Sequence, residues 1–77
     1  MKKIDLHGMS HEKALMIVEE YLLMNSFGND LELELITGKS PKLQKKIIEN
    51  ILTKYNFNYY IPYHNTGMIY ITDTKIN

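Results

Sequence analysis

Two short segments of this chain carry residue types that can do chemistry. The first reads Ile4-Asp5-Leu6-His7-Gly8. On an extended segment, residues two apart leave on the same face, so Asp5 and His7 stand side by side with Cα atoms about 6.5–7 Å apart. A carboxylate beside an imidazole fixes its tautomer and favours its protonated form. The ring could then move a proton at a phosphodiester. The plain alternative is an Asp5 that caps a loop backbone and a His7 that packs at a strand end. The second segment is Thr37-Gly38-Lys39-Ser40, followed by Pro41. Gly-Lys-Ser ends the phosphate-binding loop of many nucleotide hydrolases, but that loop also needs a glycine five residues earlier. The position holds Leu33, inside an apolar run. A chain of 77 residues also lacks room for the second carboxylate strand and the extra crossovers of such an enzyme. What remains is a cradle for one phosphate. Free N–H groups at a helix start would face the anion, Lys39 and Lys42 would add charge, and Gly38 would let backbone come close. Its plain alternative is an ordinary helix start with solvated lysines.

These groups are positioned by a simple order of elements. Ile4–Leu6 reads as a short strand, and Ser10 as the N-cap of a helix running to Asn25, with Ala14, Val18 and Leu22 four apart. Asn25–Asp30 reads as a loop, with Gly28 near the helix C-cap. Leu31–Ile36 alternates, giving one apolar face and one bearing Glu32 and Glu34. Ser40 as N-cap and Pro41 at the first helical position open a second helix whose stripe is Leu43, Ile47, Ile48, Ile51, Leu52 and Tyr55. Phe57–Tyr63 and Met68–Thr72 read as strands joined by a hairpin turn, His64–Gly67, with a tail at Thr74–Asn77. The expected fold class is α/β, an α+β two-layer sandwich. Its order β-α-β-α-β-β gives a mixed four-stranded sheet with both helices on one face. One domain, residues 1–77, accounts for the chain. Parallel strands bring their C-terminal ends to one edge, where ligands of open sheets bind. His7, the Thr37–Ser40 loop and the turn containing His64 and Gly67 should meet there.

Composition narrows the partners. Nine acidic residues balance nine basic ones, so bulk coating of nucleic acid is not expected. The basic residues are all lysines, and Lys39, Lys42, Lys45 and Lys46 cluster, which allows a local basic patch. No cysteine is present, so no disulfide or Cys-based zinc site is expected. His11 follows His7 across a strand–helix junction, where a two-histidine chelate does not form readily; no metal ligands are assigned. The 44% hydrophobic content suffices for a small core. No apolar run nears the roughly 20 residues of a membrane span, and the N-terminus has no signal-like apolar stretch. The expectation is a cytoplasmic protein without a membrane partner. Met16 and Leu23, seven apart on the outer side of the first helix, suit a monomer or weak homodimer. Tyr60 and Tyr70 are expected on the open sheet face, where aromatics either stack bases or pack half-buried.

Read together, these segments resemble the small MutS-related (Smr) domain family. The family's opening L-D-L-H-G-like strand end and early Glu-Ala-like pair read here "IDLHGMSHEKAL". Its strand, (T/H)-G-x-G loop and helix read "LELITGKSPKLQKKI", and its closing turn and strand read "HNTGMIYI". Ser40 stands where the family has a second loop glycine. Lys42, Lys45 or Lys46 replace an arginine usual early in the second helix, and the glycine-rich turn is reduced to Gly67. The resemblance implies the fold above, similar to the C-terminal domain of a bacterial translation initiation factor. It also implies nucleic-acid binding, often with endonuclease activity. Asp5 and His7 match the family's Asp and His; Thr37 and Gly38 match the start of its second motif.

The resulting expectation is a small endonuclease, RNA favoured over DNA. Asp5 and His7 would be catalytic. Thr37, Gly38, Lys39, Ser40, Lys42, His64 and Gly67 would hold the phosphate. With RNA, the neighbouring ribose hydroxyl could attack, so no cofactor is required; the need for a divalent metal is left open. The alternative is a non-catalytic RNA- or ribosome-binding module.

Overall fold

A computed structural model describes residues 2–25 and 31–72 of the chain. The expected loop at 26–30 with Gly28, and the tail at 74–77, lie outside the described residues. The elements are β1 (Lys2–Asp5), α1 (His11–Asn25), β2 (Glu32–Ile36), α2 (Pro41–Ile47), β3 (Asn58–Tyr60) and β4 (Met68–Thr72), with a π-helical turn, Ile48–Leu52, prolonging α2.

Local chemistry explains most boundaries. The Lys13 amide donates to Ser10 Oγ at 3.2 Å, and the Ala14 amide to the Ser10 carbonyl at 3.0 Å, which is the N-cap arrangement that starts α1. Ala14, Val18 and Leu22 then fall on one stripe and are buried. In β2, Leu33 and Leu35 point into the core, while Glu32 is exposed and Glu34 half-buried on the opposite face. Pro41 opens α2 as expected, but Ser40 makes no side-chain capping bond. In the π-helical turn the Thr53 amide reaches back five residues to the Ile48 carbonyl, at 2.8 Å. Ile51 and Leu52, adjacent in sequence, are both buried there. Asn56, with φ +62°, ends this segment in the left-handed conformation that Asn tolerates better than most residues.

The sheet order is β1-β2-β4-β3. β1 and β2 are parallel, with Ile4 opposite Leu35. β4 is antiparallel to both β2 and β3, with Leu35 opposite Ile69 and Tyr60 opposite Tyr70. β3 therefore runs in the direction of β2 without neighbouring it. Burial explains the placement. β4 buries Ile69 and Ile71 and can occupy the interior, whereas all three residues of β3 are exposed and suit an edge. β3 is also shorter than the expected Phe57–Tyr63, since Ile61 to Gly67 leave the ladder.

Leu6, Leu33, Leu35, Ile69 and Ile71 from the sheet meet Ala14, Val18, Leu22, Leu43, Ile47, Ile51 and Leu52 from the helices in one core. Both helices thus cover one sheet face, and the fold is the expected α+β two-layer sandwich. Burying each large side chain contributes about 1.5–3 kcal/mol. Tyr55 bolts the helices together, its hydroxyl donating to Glu19 at 2.8 Å. Among the described residues no helix is long and apolar enough to cross a membrane.

Candidate functional site: the loop edge around His7

The His7 position is set by a turn, which corrects the expectation that strand alternation sets it. β1 ends at Asp5. Leu6 is fully buried, and its amide donates to the Ile36 carbonyl at 2.8 Å. The Met9 amide then donates to the Leu6 carbonyl at 3.0 Å, closing a four-residue turn with Gly8 third at φ +84°. That positive φ at the third position needs a glycine, as in type II turns. His7, second in the turn, is thrust outward with its side chain 75% exposed. The His7 amide donates to Asp5 Oδ1 at 3.0 Å, and the same oxygen lies 3.8 Å from His7 Nδ1. Asp5 therefore fixes the turn and also places negative charge beside one ring nitrogen. At 3.8 Å that second contact is electrostatic attraction rather than a hydrogen bond.

The other two loops are locked to each other directly beside this turn. The amides of Thr37 and Gly38 both donate to the Gly67 carbonyl, at 2.9 and 3.0 Å. Gly67 lies so close to Gly38 that a Cβ on it would sit 3.3 Å from the Gly38 carbonyl carbon. Gly38 adopts φ +68°, and a Cβ there would lie 3.9 Å from His7 Cβ and 4.0 Å from His7 Cδ2. The Cβ–Cδ2 edge of His7 thus lies beside Gly38, in the loop that Gly67 also packs against. The three loops meet at the C-terminal edge, as expected.

Thr37 and Gln44 hold this junction from inside. Thr37 is 4% exposed. Its hydroxyl lies 2.8 Å from the Gly38 carbonyl and 3.1 Å from the Gly67 carbonyl, so its single proton serves one or the other. Gln44 Nε2 donates to Thr37 Oγ1 at 3.0 Å and to the Thr66 carbonyl at 2.8 Å. Thr37 was expected among the phosphate contacts; its hydroxyl instead faces inward and ties the loops together. Gln44 was not foreseen. The signal for it is a polar amide one position after Leu43, next to the apolar stripe, where a solvated lysine would serve an ordinary helix equally well.

The anion side of the junction is narrower than expected. The Gly38 amide is engaged by Gly67, and the Ser40 amide donates to the Gly38 carbonyl at 2.9 Å. Neither is free for a phosphate. Pro41 has no N–H. The amides turned outward at the start of α2 are those of Lys42 and Leu43, which no side chain caps. Ser40 is half-buried, and its hydroxyl is not spent on capping. Lys39, Lys42, Lys45 and Lys46 are all exposed along this end of the molecule. Lys46 Nζ lies 3.1 Å from His11 Nδ1, which occupies that nitrogen of His11.

His64 is exposed in the β3–β4 loop, and its ring meets Tyr63 edge-on at 5.9 Å between centroids. Tyr63 is 94% exposed. Such an open aromatic close in sequence to Gly67 is a feature that the reading of tyrosines as sheet packing passes over.

The open face of the sheet has a different character. Tyr60 and Tyr70 lie there as expected and pack on each other, centroids 5.0 Å apart and planes inclined by 30°. Glu32 and Glu34 share that face. The Tyr70 phenol is held above its ordinary range by partial desolvation first, then by the charge of Glu32, the neighbouring Tyr60 and a hydrogen bond to Glu32, with Glu34 adding less. Lys3 lies 3.7 Å from Glu34 and offsets part of this negative charge. A face with two glutamates beside its aromatics repels phosphates, so the loop edge with its lysines is the better site for an anionic ligand.

No family model matches the chain, and no solved structure matches it. The chain is similar to late expression factor 5 of Orgyia pseudotsugata multicapsid polyhedrosis virus, 36% identical over 56 residues. The match covers 73% of this chain and 21% of that protein, so the chain spans about a fifth of that relative's length.

Proposed function

We propose that the chain is an Smr-like nucleic-acid endonuclease acting on RNA in preference to DNA. The observation that carries this reading is the His7 side chain lying beside Gly38, at a loop junction tied to Gly67 and flanked by Lys39 and Lys42. His7 would take the proton of a ribose 2′-hydroxyl at Nε2. The freed oxygen attacks the adjacent phosphorus, and the bond from phosphorus to the 5′-oxygen breaks. The products are a 2′,3′-cyclic phosphate and a 5′-hydroxyl, the leaving oxygen taking its proton back from the imidazolium or from water. Charge building on the phosphoryl oxygens would be met by Lys39, Lys42 and the outward amides at the start of α2.

The test is cleavage of end-labelled single-stranded and hairpin RNA, with and without a chelator. His7→Ala should lower the rate by at least about 100-fold. Equal rates for wild type and His7→Ala would remove the assignment.

A second reading, an RNA- or ribosome-binding module that does not cut, is favoured by one observation. The hydrogen bond Asp5 makes is to the His7 amide, not to the ring. That reading predicts binding that survives His7→Ala and is lost in Lys39→Ala/Lys42→Ala, with no cleavage product.

A further inference from the structure

β1 is an edge strand, and among the described residues no strand pairs with its outer side. The Leu6 amide bonds to β2, so by strand alternation the amides and carbonyls of Lys3 and Asp5 point the other way, out from the sheet. A row of outward backbone groups is a template for another strand unless something covers it. Beside this edge runs a mostly apolar groove lined by Ile4, Met16, Ile17, Tyr21 and Met24, with Glu20 and Asn25 also in its lining. Met16 is 61% and Met24 69% exposed. These residues belong to no part of the loop edge around His7.

We propose that this edge is the seam of a two-fold homodimer, in which β1 pairs antiparallel with β1 of a second copy, centred on Ile4. The argument is self-complementarity. In an antiparallel pair about a two-fold axis normal to the sheet, residues facing each other must share a face. Ile4 lies opposite the partner's Ile4, and Lys3 opposite the partner's Asp5. The Lys3–Asp5 pairs occur twice by symmetry, on the open face, and join opposite charges. They are also the residues whose backbone groups point outward, so each pair exchanges two backbone hydrogen bonds. On the other face, Ile4 and the flank of α1 bearing Ile17, Tyr21 and Met24 meet their symmetry mates. A second copy thus satisfies the backbone edge and the apolar groove in one register, and adds an opposite charge to Lys3, which already faces Glu34, and to Asp5, which already holds the His7 turn; the sheet grows from four strands to eight. Shifting the partner by two residues in either direction breaks the Lys3–Asp5 match. A seam of four-residue strands and one helix flank sits at the small end of protein interfaces, where weak association is the rule.

The experiment is sedimentation velocity of the full chain from about 5 to 500 µM. Wild type should pass from monomer to dimer across that range. Lys3→Asp sets like charges opposite each other twice, and Asp5→Lys does the same; each should weaken association about tenfold or more. The double variant Lys3→Asp/Asp5→Lys restores opposite charges in the same register, though without the Asp5–His7 amide bond, and should associate more tightly than either single variant. Met24→Lys, at an exposed position that the core does not need, should also weaken it. A chain that stays monomeric at 500 µM overturns the proposal. So does a dimer indifferent to the single charge reversals, or a double variant that associates no better than the single ones. Cleavage or binding of RNA plays no part in this readout, so its outcome is separate from the reading of His7.

Discussion

Thr37→Val removes a hydroxyl and little else, because the two side chains have nearly the same shape. The site is 4% exposed, so water does not replace what is lost. Two hydrogen bonds go: the one accepted from Gln44 Nε2 at 3.0 Å, and the one donated to Gly38 or Gly67 carbonyl at 2.8 or 3.1 Å. Each abandoned group keeps another partner. Gln44 still reaches the Thr66 carbonyl, Gly67 still receives two backbone amides, and Gly38 still receives the Ser40 amide. The cost is therefore the net worth of the bonds, about 0.5–1.5 kcal/mol each, without a stranded-group penalty. The sum is about 1–3 kcal/mol, which for a domain this small lowers the melting temperature by roughly 4–24 °C. Urea unfolding followed by far-ultraviolet circular dichroism gives the number, provided the slope with denaturant is unchanged. Gln44→Met should cost a similar amount, and the double variant should show a coupling of about 0.5–1 kcal/mol, since both substitutions break one shared bond. A Thr37→Val variant within about 0.3 kcal/mol of wild type, or strict additivity with Gln44→Met, would mean that Thr37 and Gln44 do not hold the loops as described.

Three further outcomes are expected. Gly38→Ala forces a Cβ into a φ of +68° and toward the His7 ring, and should cost about 1–2 kcal/mol in urea unfolding while reducing RNA cleavage more than the stability loss explains. Lys39→Ala/Lys42→Ala should weaken binding to single-stranded RNA and flatten the dependence of log affinity on log salt by about 1.4, two phosphates' worth, in filter-binding or anisotropy titrations. Tyr70 has a folded-state pKa raised above the unfolded value of about 10, so its contribution is complete below that pH and is lost as pH climbs through the folded value. Tyr70→Phe should therefore make stability fall less steeply above about pH 10, measured by urea unfolding at a series of alkaline pH values.

The parts of the fold that follow from periodicity were legible in the residues. Ala14, Val18 and Leu22 mark α1, the Leu-Glu alternation marks β2, and Pro41 marks the first turn of α2, because each pattern is fixed by local geometry. β4 runs from Met68 to Thr72 as expected for the same reason. Strand order was not legible. That β4 enters between β2 and β3 depends on Ile69 and Ile71 competing successfully for the interior against the Tyr-rich β3, a comparison between distant segments. The π-helical turn was hidden because Ile47, Ile48, Ile51 and Leu52 fit an ordinary helical stripe equally well. At the site, proximity of His7 to the Thr37–Ser40 loop was legible from the parallel strands. The means of holding it was not. The turn through Gly8, the double donation to Gly67 and the Thr37–Gln44 bond are hydrogen-bond choices that residue types permit without requiring. Ser40 illustrates the limit: its type and place suit an N-cap, yet its amide turns back to Gly38 and its side chain caps nothing.

The central claim is that the His7 turn and the Thr37–Pro41 loop border one pocket for an anionic ester. Backbone and imidazole NMR of the isotope-labelled chain, titrated with a short single-stranded RNA whose reactive 2′-hydroxyl is replaced by hydrogen, tests it most directly. The account predicts that the largest shifts fall together on His7, Gly38, Lys39, Lys42, Leu43 and Gly67, and vanish together in Lys39→Ala/Lys42→Ala. Shifts confined to the open sheet face around Tyr60 and Tyr70, or to the flank of α1, with His7 and Gly38 unmoved at saturation, would contradict it.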